Sequence, residues 1–169
     1  MGFKKCPLCS GAVLEDSKTC YDCTKLLDVS KLWALKREAK YYLEKEIVCL
    51  EDIEKSYKIT KSIYNPYHKE FAECYDKYKT YYFHIGDFDK SLEYFLKFLE
   101  IEKKHWGEHS IKLALNILGF LDDLKSHQNK NVTEAYKGKV KQLSNNVKEI
   151  LPLHYPDEIV NYDEIYTAE

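Results

Sequence analysis

The chain has 169 residues, 44% of them hydrophobic, which is enough for one ordinary domain with a core, alone or with a small appendage. No apolar run approaches the roughly 18 residues of a membrane-spanning helix, and 15 Tyr beside only four Pro and six Gly favour helix over sheet or disorder. The formal charge is −2, and all but one of the 26 basic residues are lysine, a bias that accompanies abundant Tyr, Ile and Asn and says little about mechanism.

The first 23 residues carry two knuckles, Cys6-Pro7-Leu8-Cys9 and Cys20-Tyr21-Asp22-Cys23, with ten residues between them. Each CxxC turn aims two sulfurs at one centre, and two turns close a tetrahedron, the pattern of a zinc ribbon. Pro7 and Gly11 suit the tight turn of the first knuckle. Cys6, Cys9, Cys20 and Cys23 are therefore the expected ligands of one Zn2+ ion. A four-cysteine site leaves no coordination position open, so the expected role is structural. Two disulfides are the alternative. The start Met-Gly-Phe-Lys-Lys does not read as a signal peptide. A soluble protein in a reducing compartment is expected, cytoplasmic or nuclear, with Cys49 and Cys74 as ordinary buried thiols.

After the knuckles, Asp28 or Ser30 can cap a helix whose apolar residues recur at Leu32, Leu35, Ala39, Leu43 and Ile47. A break near Cys49–Glu51 and a second helix through Leu50, Ile53, Ser56 and Tyr57 to about Tyr64 follow. Asn65-Pro66 ends it, because the residue before proline disfavours the α region. A third helix, from about His68 to Ile85, presents Phe71, Cys74, Tyr75, Tyr78, Tyr81 and Tyr82 on a wide face, which reads as core more readily than as a binding groove. Gly86-Asp87 is a stop followed by a cap. A fourth helix covers Phe88 to Lys104 with Leu92, Phe95, Leu96 and Leu99 on one side. Gly107 interrupts, and a fifth runs from Ser110 to Ser126 through Ile111, Leu115, Leu118 and Leu121. The last runs from Thr133 to Leu151 and stops before Pro152, with an extended tail from His154.

Charge is uneven along this path. The tail from Asp157 to Glu169 holds five acids and no base, and without it 23 acids face 26 bases, a body charge of +3. Between Lys125 and Lys148 six lysines face one acid, Glu134. A basic segment before an acidic tail is a partner hint, and a solvated helix face with a frayed tail is the alternative. The expected organisation is a zinc ribbon over 1–27, an all-α domain over 28–151 and an acidic, extended tail over 152–169.

The two helices of about 17 residues around Gly86 have the size of a 34-residue helical-hairpin repeat. Gly86-Asp87-Phe88-Asp89-Lys90-Ser91-Leu92-Glu93-Tyr94-Phe95 resembles the second half of a tetratricopeptide (TPR) repeat, with Ser91 at the small position and Phe95 at the aromatic one. Lys79 stands where the first helix ordinarily has a small residue, so the antiparallel hairpins are TPR-like with atypical repeats. The segment Lys5-Cys6-Pro7-Leu8-Cys9-Ser10-Gly11 with the Cys20–Cys23 knuckle resembles the cysteine-rich segment of SET- and MYND-type lysine methyltransferases. Asn65-Pro66-Tyr67-His68, Gly86-Asp87-Phe88 and Trp106-Gly107-Glu108-His109-Ser110, then Leu115, Leu118 and Gly119, are similar to their TPR-like C-terminal domain. The resemblance covers roughly residues 5–150. It implies zinc on the four cysteines and a concave helical surface that binds a partner. It carries over no methyltransferase residue, because the catalytic SET domain and its Asn-His motif have no counterpart here.

No P-loop, GxGxxG, GxSxG or HExxH occurs. His105 and His109 flank Gly107 without a companion carboxylate motif and read as loop and cap residues. A non-enzyme is expected. Lysines Lys4 and Lys5 beside the first knuckle, and Lys130, Lys137, Lys141 and Lys148 at the last helix, are the candidate partner-binding residues, with phosphate as their natural counterpart. The single arginine, Arg37, argues against sequence-specific base readout. These features lead to a non-catalytic module docking on a protein or ribonucleoprotein assembly, specifically a small ribosome-associated regulatory or dormancy-type factor, with no membrane and no small-molecule substrate. Two further expectations are the C-terminal module of a split or truncated SET/MYND-type methyltransferase and a co-chaperone-like adaptor with Lys79 and Asn116 in a peptide clamp.

Overall fold

A computed structural model describes residues 3–6, 11–14, 17–45, 49–126 and 134–155. It is mostly helical. A small antiparallel hairpin, β1 (Phe3–Lys5) with β2 (Ala12–Leu14), precedes α1 (Val29–Leu43), α2 (Leu50–Ile63), α3 (Glu70–His84), α4 (Phe88–Trp106), α5 (Ile111–Ser126) and α6 (Glu134–His154). The chain divides into two compact units, Met1–Ile101 and Glu102–Glu169.

The helix ends follow from local chemistry. Asp28 accepts the Lys31 N–H at 3.0 Å and starts α1. Cys49 is extended (φ −90, ψ 166) at the start of α2, and Glu51 and Asp52 place negative charge on that helix's first turn. The Asp52 carboxylate takes the Lys45 ammonium at 2.6 Å and the Cys49 thiol at 3.1 Å, tying the end of α1 to the start of α2. Tyr64 then turns extended (φ −114, ψ 151) ahead of Asn65-Pro66 and closes α2. At the end of α3, Asp87 N–H reaches the Tyr82 carbonyl at 2.9 Å and Gly86 N–H the Phe83 carbonyl at 3.1 Å. Those two bonds are a Schellman motif, and Gly86 takes the left-handed φ of +79 it requires. Asp87 next accepts the Lys90 N–H at 3.2 Å, so one dipeptide stops α3 and caps α4.

Three expectations are corrected, and the hairpin β1–β2 is an addition to them; its strands of three residues each are too short to show an alternation. Cys49 is exposed, because its place is the cap of α2. In α5 the buried residues are Leu113, Ala114, Ile117, Phe120 and Leu121, while Leu115 is 55% exposed; it lies on the opposite face, beside exposed Lys112, Asp122 and Ser126. Finally, α6 continues through Pro152 to His154. Proline removes one N–H donor, but the Tyr155 N–H still bonds the Leu151 carbonyl at 2.9 Å, so the last turn survives. The Ile47 position and the acidic tail from residue 156 lie outside the described residues.

Aromatic rings dominate the packing of the first unit. Tyr78 stacks on Tyr94 at 4.5 Å, Tyr94 on Tyr82 at 5.5 Å, and Tyr57 meets Phe71, Tyr75 and Tyr78. Cys74, fully buried on α3, lies 3.7 Å from Ser56 Oγ and 3.8 Å from Thr60 Oγ1 of α2. Burial pushes the Cys74 thiol up to about 11 and the hydroxyls of Tyr75, Tyr78 and Tyr94 upward too. Because the folded value of Cys74 exceeds its ordinary 9.0, its contribution to stability is complete below about pH 9 and is lost as pH rises to about 11. The thermal midpoint should hold from pH 7 to near 9 and then fall, and Cys74→Ala should fall less over the same window. A wild-type and variant decline of equal steepness, read by circular dichroism, would contradict this. Asp52 has the opposite sense: its hydrogen bonds from Lys45 and Cys49 hold its carboxyl below the usual range, so Asp52→Asn should flatten the acid limb of the same curve.

Candidate metal centre

The N-terminal segment brings three of the four sequence-expected ligands together. The sulfurs of Cys6, Cys20 and Cys23 lie within 4.8 Å of one another, with Cys6 and Cys20 buried and Cys23 partly so. Cys9 lies outside the described residues. The Cys6 and Cys23 sulfurs are 3.7 Å apart. A disulfide requires about 2.05 Å, whereas two thiolates on one tetrahedral zinc, each at about 2.3 Å, stand about 3.8 Å apart. The spacing is that of neighbouring ligands on a metal.

The backbone explains how the sulfurs converge. Cys6 N–H bonds the Gly11 carbonyl at 2.9 Å, and Cys20 N–H bonds the Lys25 carbonyl at 3.1 Å. In each case the leading cysteine of a CxxC bonds the carbonyl five residues on, so the two knuckle sequences are closed by the same hydrogen bond. Around Cys20 and Cys23 a second bond joins Thr24 N–H to the Cys20 carbonyl at 2.9 Å, and Thr24 takes a left-handed φ of 56. Leu27 N–H to Lys18 at 2.8 Å and the bridge between Thr19 and Leu26 complete this turn. A β-carbon on Gly11 would overlap the Asp22 carboxylate, so the two loops meet at Gly11 and a larger residue there would have to turn the Asp22 side chain aside.

Cys6, Val13, Cys20 and Leu27 form the core of this module, with Leu32 of α1 packed against them. Lys4 pairs with Val13 in the hairpin and bridges to Tyr64, and its carbonyl accepts the Asn65 side chain at 3.4 Å. The backbone of β1 thereby docks on the end of α2. Tyr64 in turn stacks on buried His68 at 3.9 Å. His68 serves packing and a turn, its Nδ1 accepting the Glu70 N–H at 3.3 Å.

The other expected residues are placed as follows. Lys4 and Lys5 are half-buried on β1, beside the cysteine cluster. Lys137, Lys141 and Lys148 are exposed on α6, within an arc of about 40° at 100° per residue. Lys130 lies outside the described residues. Lys79 pairs with Asp76 at 2.7 Å, and Asn116 reaches Glu102 at 3.4 Å. His154 Nε2 lies 2.7 Å from the His109 carbonyl, so these two histidines serve a turn contact. None of the described helices is long and apolar enough to cross a membrane.

The described residues thus define a mostly helical protein with a cysteine cluster of metal-binding geometry. No family model, curated protein or solved structure matches the chain.

Cys6→Ser, Cys20→Ser and Cys23→Ser should each lower bound zinc from one equivalent toward none, while Cys49→Ser leaves it unchanged; elemental analysis of the purified protein reads this. A chelator should strip amide protection from residues 3–27 before it touches α3, because four buried side chains are too little core to hold a module without metal. Full zinc content in a Cys20→Ser variant would contradict the assignment.

Proposed function

We propose that this chain is a non-catalytic, zinc-stabilised docking protein for a ribonucleoprotein assembly, and specifically a small factor of the ribosome. Cys9 supplies the fourth thiolate beside Cys6, Cys20 and Cys23, and a four-thiolate zinc is coordinatively closed, suited to hold a shape rather than to activate a substrate. The observation that carries the reading is the contrast between the two sides of the second knuckle. Its sulfurs point to the cluster, while Lys18, Tyr21, Lys25 and Leu26 point out, with Tyr21 87% and Leu26 75% exposed. Aromatic, aliphatic and cationic side chains raised together on a rigid loop are the composition of a binding surface. The exposed lysines of α6 add phosphate-binding capacity at physiological pH.

The helices act as the frame. A TPR-like reading of the α3–α4 hairpin is supported by Ser91, which is fully buried and whose Oγ donates to the Lys79 carbonyl at 3.0 Å. A larger residue at position 91 would hold the two backbones apart.

The endogenous protein should co-sediment with ribosomal particles in a sucrose gradient at low salt, leave them as salt rises, and move to the top of the gradient after RNase treatment. Sedimentation as a free small protein at every salt concentration would defeat the proposal, and co-migration with a SET-domain protein would replace it with the split-enzyme reading. Lys137→Gln, Lys141→Gln and Lys148→Gln combined should reduce co-sedimentation severalfold without changing the unfolding midpoint.

A further inference from the structure

The metal centre leaves one surface of the first unit unused. α1 turns Ala39 and Leu43, with half-buried Leu32 and Leu35, toward the core. On the opposite side Trp33, Arg37 and Tyr41 follow one another at four-residue spacing, within an arc of about 80°. An outward helix face is ordinarily polar. Here Trp33 is 56% and Tyr41 64% exposed. The Trp33 and Tyr41 positions are separated by about 12 Å along the helix axis, with the Arg37 position midway.

Charges of both signs surround these rings. Arg37, Lys40, Tyr41, Glu44 and Lys45 line an open depression of about 220 Å3. Lys36 Nζ stands 5.7 Å from the Trp33 ring centroid and Lys45 Nζ 5.5 Å from that of Tyr41. Lys36 pairs with Glu70, Lys40 with Glu44 and Lys45 with Asp52, whereas Arg37 forms no ion pair with a described residue. The chain holds a single arginine, and it stands between two exposed aromatic rings.

We propose that this face of α1 binds single-stranded nucleic acid. Bases stack on Trp33 and Tyr41, and the backbone phosphate between them is held by Arg37. The alternation of ring, cation and ring fits base, phosphate and base, whereas a protein helix in a groove calls for contiguous apolar anchors. Stacking is tolerant of sequence because every base has a π-face. One arginine therefore suffices, as its flat guanidinium both forks to phosphate and lies against rings. The inference deepens the ribonucleoprotein reading, rests on it for the class of partner, and gives that partner a second contact besides the knuckle and α6.

The test is fluorescence anisotropy of end-labelled oligouridylate and oligothymidylate of about ten nucleotides, within the site sizes of single-strand binders, titrated with the full-length zinc-loaded protein. Trp33→Ala and Tyr41→Ala should each weaken binding by about 5- to 100-fold, the range of losing one stacked base. Arg37→Gln should lower the slope of log affinity against log salt by about 0.7, one single-strand phosphate contact. Each variant should keep the wild-type unfolding midpoint, since all three side chains are exposed. Binding that is unchanged in Trp33→Ala and Tyr41→Ala but lost when Lys137, Lys141 and Lys148 become Gln would overturn this site and leave the ribonucleoprotein reading standing. Polyglutamate binding at α1 in place of either oligonucleotide would overturn it in favour of an acidic protein partner. Absence of oligonucleotide binding at low salt, in a protein that still co-sediments with ribosomal particles, would likewise reject this face alone.

Discussion

Three cysteine sulfurs lie within 4.8 Å of one another, placed where one metal ion could join them, and the N-terminal module has little else to hold it together. Its hairpin has three residues in each strand, and its core is Cys6, Val13, Cys20 and Leu27. Zinc bound by thiolates supplies roughly 10 kcal/mol or more of folding free energy in modules of this kind, which is large against that small apolar burial. Around the cluster Leu27 packs with Leu32 of α1, Lys4 bridges to Tyr64 at the extended end of α2, and Tyr21 and Leu26 stand exposed on the second knuckle.

The helical part of the first unit is secured differently. Stacked tyrosines bury area while leaving their polar tips at the margin, where Lys90 lies 4.9 Å from the Tyr82 ring and Lys97 4.6 Å from that of Tyr94. The buried members resist ionisation, so this packing is durable at neutral pH and vulnerable in alkali. Such a frame places α1 with its apolar side satisfied and its Trp33–Arg37–Tyr41 side open. Frame and surface divide the work: the tyrosines of α3 and α4 pack inward, while the rings of α1 remain exposed.

The parts of this fold that were readable in the sequence are those written by local chemistry. Asp28 as a cap, Asn65-Pro66 as a stop and Gly86-Asp87 as stop and cap all act within a few residues, and each sits where the spacing placed it. So does the meeting of Cys6 with Cys20 and Cys23, since CxxC spacing already constrains the sulfurs. What the sequence hid depends on distant neighbours. Pro152 looked like a terminator, yet one missing donor in a final turn is tolerated. The β1–β2 strands, three residues each, are too short to show an alternation, and Cys49 could not be told from a core thiol until its capping place was known. The Trp33–Arg37–Tyr41 spacing was present in the sequence, but its exposure was not.

Zinc K-edge X-ray absorption on the purified protein addresses the central claim most directly. Four sulfur scatterers at about 2.3 Å, with no nitrogen or oxygen in the first shell, are the expected result for a closed thiolate site. A first shell with fewer than four sulfurs completed by nitrogen or oxygen, or a protein purified without zinc, would contradict the account.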